Sequence, residues 1–319
     1  MVINLLPEFL AVLDSSDRVG AYYDYFERHR PLLHAYWDNY VIDPSGPHVE
    51  EIVRLTTRAD RDDLRATLAR FDIVGLAERT EDAVRELVGF GGPLDVVLMV
   101  GVGAANAGEL VVDGRGTAFV CLEHFTSVQN PTTQGLGLDP ELIPMWLAHE
   151  IAHAVRYTAP DSRSEMHTLI DDADGYYSYW ETGRRASLRE LLVNEGLAVH
   201  VSRLVSPNHA AWEYFGYQRK QFQRVRELEP MIARVMAHDL DRNGLGLRLR
   251  YLSGGMSDDA RTLTPDVVMP ERAGYYMGAK LVEGSLLARG PAWAVRASAS
   301  ELSVVGDAAP VPNVAGRAR

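Results

Sequence analysis

The 319-residue sequence is short of several things, and each shortage excludes something. Cys121 is its one cysteine, so no disulfide can form within the chain, and a reducing compartment is expected. Lys220 and Lys280 are its only lysines, and acidic side chains outnumber basic ones 44 to 32, a net charge of −12. A face basic enough to hold nucleic acid or an anionic membrane is therefore not expected. No stretch approaches the ~18 consecutive apolar residues of a membrane span. The opening MVINLLPEFLAVLDSSDR lacks basic residues before its apolar part, which Glu8 and Asp14 interrupt, so no signal peptide is expected. The expected compartment is the cytoplasm. What the chain does have is a globular balance, 46% hydrophobic and 24% charged residues, enough for a sizeable core.

Residues 4 to about 90 read as helical, with apolar residues at helical spacing in Leu5, Phe9, Leu13 and again in Ile52, Leu55, Leu64, Leu68. Gly91, Gly92 and Pro93 then punctuate the chain. DVVLMV (95–100) and TAFVCL (117–122) read as strands, with a hairpin signal at Asp113-Gly114 between them. The Gly101-x-Gly103 pair after the first strand lacks the third glycine of a dinucleotide loop, and no helix follows it. Further helices are expected over about 140–158, 186–205, 208–238 and 271–289. The Pro-, Ala- and Gly-rich end, 307–319, reads as a flexible tail.

One segment carries chemistry. ELIPMWLAHEIAHAVRY contains His149-Glu150-Ile151-Ala152-His153. On a helix, residues four apart share a face with Cβ atoms ~6 Å apart, so both imidazoles can reach one metal at ~2.0–2.1 Å. Glu150, turned by ~100° from His149, flanks that metal and is placed to take a proton from water. Trp146, Leu147, Ile151, Ala152 and Val155 make the helix apolar. Burying two histidines and a glutamate among them is costly unless a cation compensates. A hydrolytic zinc site needs a third protein ligand. Glu195 in SLRELLVNEGLAVHVSRLV sits on a second apolar helix and is the natural candidate.

The pair His149 and His153 together with Asn194-Glu195-Gly196-Leu197-Ala198 resembles the gluzincin group of zinc metallopeptidases. More narrowly, the chain is similar, over roughly residues 95 to 305, to a bacterial family of predicted zinc-dependent proteases. That family joins an H-E-x-x-H helix to an E-G-L-A helix and a later G-Y-x-x-G segment, here Gly274-Tyr275-Tyr276-Met277-Gly278. The resemblance implies an α+β, helix-dominated fold with a small β-sheet before the motif helix. It implies one Zn2+ per chain on His149, His153 and Glu195, Glu150 as general base, and a peptide or protein substrate. It also implies an oxyanion donor, Tyr275 or alternatively Tyr276, although either tyrosine can equally be a packing residue. The strand near 117–122 is expected to take an extended peptide by edge pairing. The implied division is an N-terminal helical region (1–90), a zincin-like catalytic domain (91–306) and the tail. Many gluzincins carry an aspartate four residues after the ligand glutamate, where this chain has Val199. An orienting partner for the histidines must then come from elsewhere, with Glu190, Asp171 and Asp172 as candidates.

Other signals carry less. His200 follows Glu195 by five residues and so points ~140° away from it, and His124 ends a strand. Asp239-Leu240-Asp241-Arg242-Asn243-Gly244 opens like a calcium loop, but Arg250 stands where the loop needs its bidentate acid. Two other functions fit the same residues: a zinc hydrolase of non-peptide amides or esters, and an inactive scaffold that binds a partner.

Overall fold

The structure, a computed structural model, describes residues 1–130, 135–253, 262–264 and 267–303; the expected tail 307–319 lies outside the described residues. The fold is α+β, with helices dominating and one four-stranded sheet. Strand β1 (Val2–Asn4) leads into helices α1 (Leu6–Asp14), α2 (Arg18–Arg28), α3 (Arg30–Tyr40), α4 (Val49–Thr57), α5 (Asp62–Arg70) and α6 (Ile73–Val88). Strands β2 (Leu94–Met99), β3 (Ala107–Val112) and β4 (Arg115–Cys121) follow. The sheet order is β1-β2-β4-β3, with β1, β2 and β4 parallel and β3 antiparallel to β4. Asp113 and Gly114 turn the β3–β4 hairpin at φ of 51° and 70°, the left-handed pair that a two-residue hairpin requires.

The two faces of the sheet are filled differently. Phe119 meets the rings of Tyr36 and Tyr40 from α3 edge-on. On the other face, Gly116 lies against Ala154 of α7 (Ile143–Thr158), the motif helix. Gly108 of β3 lies against Tyr40, so its neighbour Glu109 points to the α7 side, as strand alternation requires. Asp139 caps the turn ahead of α7 by accepting from the Glu141 N–H, with Pro140 next to it. Almost every residue of α7 is buried.

After α7 come α8 (Glu165–Asp171), α9 (Tyr179–Arg185) and α10 (Leu188–Val205). Ser187 caps α10 by accepting from the Glu190 N–H. The helix expected over 208–238 begins only at Arg219, as α11 (Arg219–Ala237). Pro207 cannot continue α10, and the left-handed Asn208 (φ 78°) and Gly216 (φ 62°) turn the chain before α11 starts. Then follow α12 (Leu245–Leu252), α13 (Ala273–Arg289), α14 (Pro291–Ala294) and α15 (Ala299–Leu302). One contiguous apolar core runs from Leu5 through the sheet to Val295, so the first 90 residues and the rest share it.

The fully buried Arg156 ties α7 to α10 through a forked pair with Glu190, at 2.9 and 3.1 Å from Nη2. It also donates to the carbonyls of Val295 and Ala297. Among the described residues no helix is long and apolar enough to cross a membrane.

Candidate metal centre

Helices α7 and α10 pack side by side and bring three side chains to one point. His149 Nε2 lies 3.1 Å from Glu195 Oε2, and His153 Nε2 lies 3.5 Å from the same oxygen. One donor atom from each residue falls within 4.8 Å of the others. Two ligands each ~2.0–2.1 Å from a tetrahedral zinc stand ~3.3–3.4 Å apart, and the observed separations bracket that value. The donor set of two imidazoles and one carboxylate is suited to zinc and leaves a fourth position open.

The electrostatics point the same way. Burial works against the charged form of His153, but Glu195, with Glu109 and Glu150, outweighs it and lifts the imidazole to about 10. His149 is held below its usual range, burial outweighing Glu195. Burial pushes Glu195 up, and the two histidines more than reverse this. Three acidic side chains, Glu195, Glu109 and Glu150, thus converge on the two imidazoles. A divalent cation suits that cluster, so the residues present fit a bound zinc ion.

Each imidazole is backed by a tyrosine. The Tyr275 ring stacks on His149 with a 24° tilt at 6.2 Å, and Tyr157 stacks on His153 with a 28° tilt at 6.0 Å. The Tyr157 hydroxyl donates to Glu109 Oε1 and accepts from Asn194 Nδ2 at 2.7 Å. Glu109 also shares a hydrogen bond with Glu150. Burial raises the Glu150 carboxyl well above the ordinary range, and the Glu109 charge adds to this.

His149, Glu150, His153, Glu195 and Tyr275 all line one cleft of about 600 Å³ beside β3. Arg272 lies over the Tyr275 ring at 4.3 Å. Tyr276 points elsewhere: its hydroxyl donates to Glu229 at 2.6 Å, and it lines a separate hollow with His200.

The edge-pairing strand and two of the candidate orienting acids are corrected here. Strand β4, which covers most of 117–122, has partners on both sides and offers no free edge. The edge beside the cleft is β3. Glu190 is occupied by Arg156, and Asp172 faces Arg185 at 3.5 Å, so neither orients a histidine. His153 Nδ1 has no hydrogen-bond partner among the described residues. His200 bonds the Ala279 carbonyl, and buried His124 accepts from the Leu136 N–H, away from the centre. Asp239 is engaged by Arg242 and Tyr251, and the Gly101 N–H donates to Glu123, an acid where a nucleotide phosphate would need to sit.

Sequence reasoning missed Glu109, Tyr157, Arg248 and Arg272. The one available signal was an isolated acid, Glu109, within the apolar strand AGELVV.

An H-E-x-x-H helix joined by a carboxylate from a neighbouring helix defines a candidate metal-dependent hydrolytic centre. Residues 176–303 match the model of a family described as Predicted Zn-dependent protease (DUF2268), which supports the family that the motifs resemble. The matched stretch carries Glu195, Gly196, Arg248, Tyr275 and Gly278, while His149 and His153 precede it. No curated protein and no solved structure matches the chain.

Proposed function

We propose that the protein is a zinc-dependent peptidase, with one zinc on His149, His153 and Glu195 and a peptide or protein segment as substrate. The observation that carries this reading is the meeting of Glu195 with both histidines, with Glu150 beside them on the open cleft. Zinc held there supplies Lewis acidity: it lowers the pKa of water and draws charge from a carbonyl oxygen.

Glu150 takes the proton of the attacking water and hands it to the departing amine. A neighbouring cation favours its carboxylate form, countering the burial that raises it. Glu109, hydrogen-bonded to Glu150 and to Tyr157, holds that base in place. The Tyr275 phenol is kept protonated by burial and by the Glu195 charge, against the pull of Arg272. It donates a hydrogen bond to the carbonyl oxygen as negative charge develops there.

The test is metal content together with hydrolysis of a quenched-peptide mixture and of small esters. Equimolar zinc, lost in His149→Ala and kept in Glu150→Gln, is expected. Peptide cleavage should fall by ~10²–10⁴-fold in Glu150→Gln. A fully active Glu150→Gln protein would overturn the mechanism, and ester cleavage without peptide cleavage would overturn the substrate class.

A further inference from the structure

We infer that Arg248 binds a carboxylate of the substrate, making the cleft selective for anionic peptides; this rests on the peptidase reading above. Among the described residues three arginines are more than nine-tenths buried: Arg61, Arg156 and Arg248. Arg61 is paired with Asp63 and Arg156 with Glu190. Arg248 alone has no carboxylate partner among the described residues, and it alone of the three lines the cleft. Its two hydrogen bonds go to neutral oxygens, the Tyr179 carbonyl at 2.8 Å and the Tyr177 hydroxyl at 3.1 Å. A guanidinium taken out of water and left without a counter-charge is costly, and a bound anion removes that cost.

The surroundings hold this side chain in one place. Its carbon Cζ lies 3.5 Å from the centre of the Tyr179 ring. A Cβ at Gly183 would sit 2.1 Å from its Nη1, so α9 leaves room for the group by having no side chain there. Buried Asn39 fixes the wall behind, donating to the Tyr177 carbonyl and accepting from the Tyr179 N–H. A planar fork fixed in this way suits a planar carboxylate.

The edge of β3 adds a reason. Its Glu109 carbonyl accepts from the Tyr40 hydroxyl and its Val111 carbonyl from the Tyr177 N–H. A substrate strand finds those acceptors taken, so binding must draw on side chains or chain ends instead of a long ladder.

The carboxylate can be a free C-terminus or an acidic side chain, and matched probes separate them. Short N-acetylated peptide mixtures are prepared with free-acid or amide ends, and with Glu or Gln inside. Their binding to zinc-loaded Glu150→Gln protein is followed by tryptophan fluorescence, since Trp146 and Trp180 line the cleft. One pair should differ by about tenfold or more in favour of the acid, as expected for a charge-assisted bond. A difference in the end-group pair identifies the C-terminus, and one in the Glu/Gln pair identifies the side chain. Arg248→Met should abolish the preference, and Arg248→Lys should keep only part of it.

Equal binding within both pairs overturns the inference, as does a preference that survives in folded Arg248→Met protein. The peptide comparison needs no change at position 248, so a misfolded variant does not shield the inference. If the acid preference holds but no peptide is cleaved by the unsubstituted enzyme, the peptidase reading fails while the carboxylate site stands.

Discussion

Gly196 and Gly278 meet where α10 crosses α13. A Cβ on Gly278 would lie 1.9 Å from the Leu192 carbonyl oxygen, and one on Gly196 would lie 2.2 Å from the Gly278 carbonyl. Gly196 follows Glu195, and Gly278 lies one turn beyond Tyr275. The two glycines therefore set how closely the tyrosine-bearing helix approaches the candidate metal centre, a physical reason for their places in the two motifs. Gly278→Ala should force the helices apart and cost about 1–3 kcal/mol of stability. Its loss of hydrolysis should exceed what that destabilisation explains, because Tyr275 moves with α13. Gly284→Ala on the same helix meets open space and should be neutral or stabilising by up to ~1 kcal/mol. Urea midpoints and initial rates check both; equal behaviour of the two variants would contradict the close contact.

Tyr275→Phe removes a hydroxyl from the cleft and leaves the ring on His149. Under the proposed mechanism kcat should fall by roughly 10²-fold, within the range for losing one oxyanion donor, with KM changed little. Tyr276→Phe loses bonds to Glu229 and Arg226, away from the cleft, and should keep its rate. Steady-state kinetics on the two variants decide between them, and the reverse ranking would exclude Tyr275 as the donor.

The Arg156–Glu190 pair is buried on both sides. Glu190→Ala strands the guanidinium between α7, α10 and the Val295–Ala297 carbonyls. A loss of about 3–5 kcal/mol is expected, the usual result of removing one partner of a buried pair. Chemical denaturation measures it, and a loss under 1 kcal/mol would show that the charge finds another partner.

Stability should also depend on Glu123, which lies behind the sheet. Burial raises its carboxyl from the ordinary 4.5 to about 7, against hydrogen bonds such as that from the Gly101 N–H. Below about 4.5 both folded and unfolded chains are protonated there, and no effect arises. Between 4.5 and 7 the folded chain keeps a proton that the unfolded chain has released. Stability is therefore lost as pH rises through that window, by on the order of 3 kcal/mol in all. His124 acts oppositely: burial lowers it to about 4, so its contribution is lost as pH falls from 6.5 toward 4. Glu123→Gln removes the Glu123 titration and keeps His124, whose Nε2 lies 3.7 Å from Glu123 Oε1. The difference between variant and parent should thus grow from pH 5 to pH 8, and a flat difference in urea midpoints would refute the buried acid.

The meeting of the three candidate ligands was legible because much of its spacing is local. His149 and His153 are one helical turn apart, and Glu195 lies in a helix whose apolar pattern marks it as buried. The hairpin at Asp113-Gly114 was legible for the same reason. The cleft walls were not. Glu109, Arg248 and Arg272 come from β3, α12 and the turn before α13, far apart in the chain, and local periodicity does not say that they meet. The short strand Val2–Asn4 carries no local signal, since its pairing with Val96–Leu98 spans more than 90 residues of chain. The edge assignment failed likewise, because strand order depends on crossovers that periodicity does not encode.

The filled acceptors on β3 bear on how copies of the protein behave together. Exposed sheet margins invite self-association between identical chains. Here one margin is a strand of three residues, and the other has two of its carbonyls engaged by tyrosines. Neither offers a long template, so crowding should not lead to fibre-like stacking through this sheet. Tyr40, which lines the cleft, and Tyr177 thereby help to keep neighbouring molecules apart.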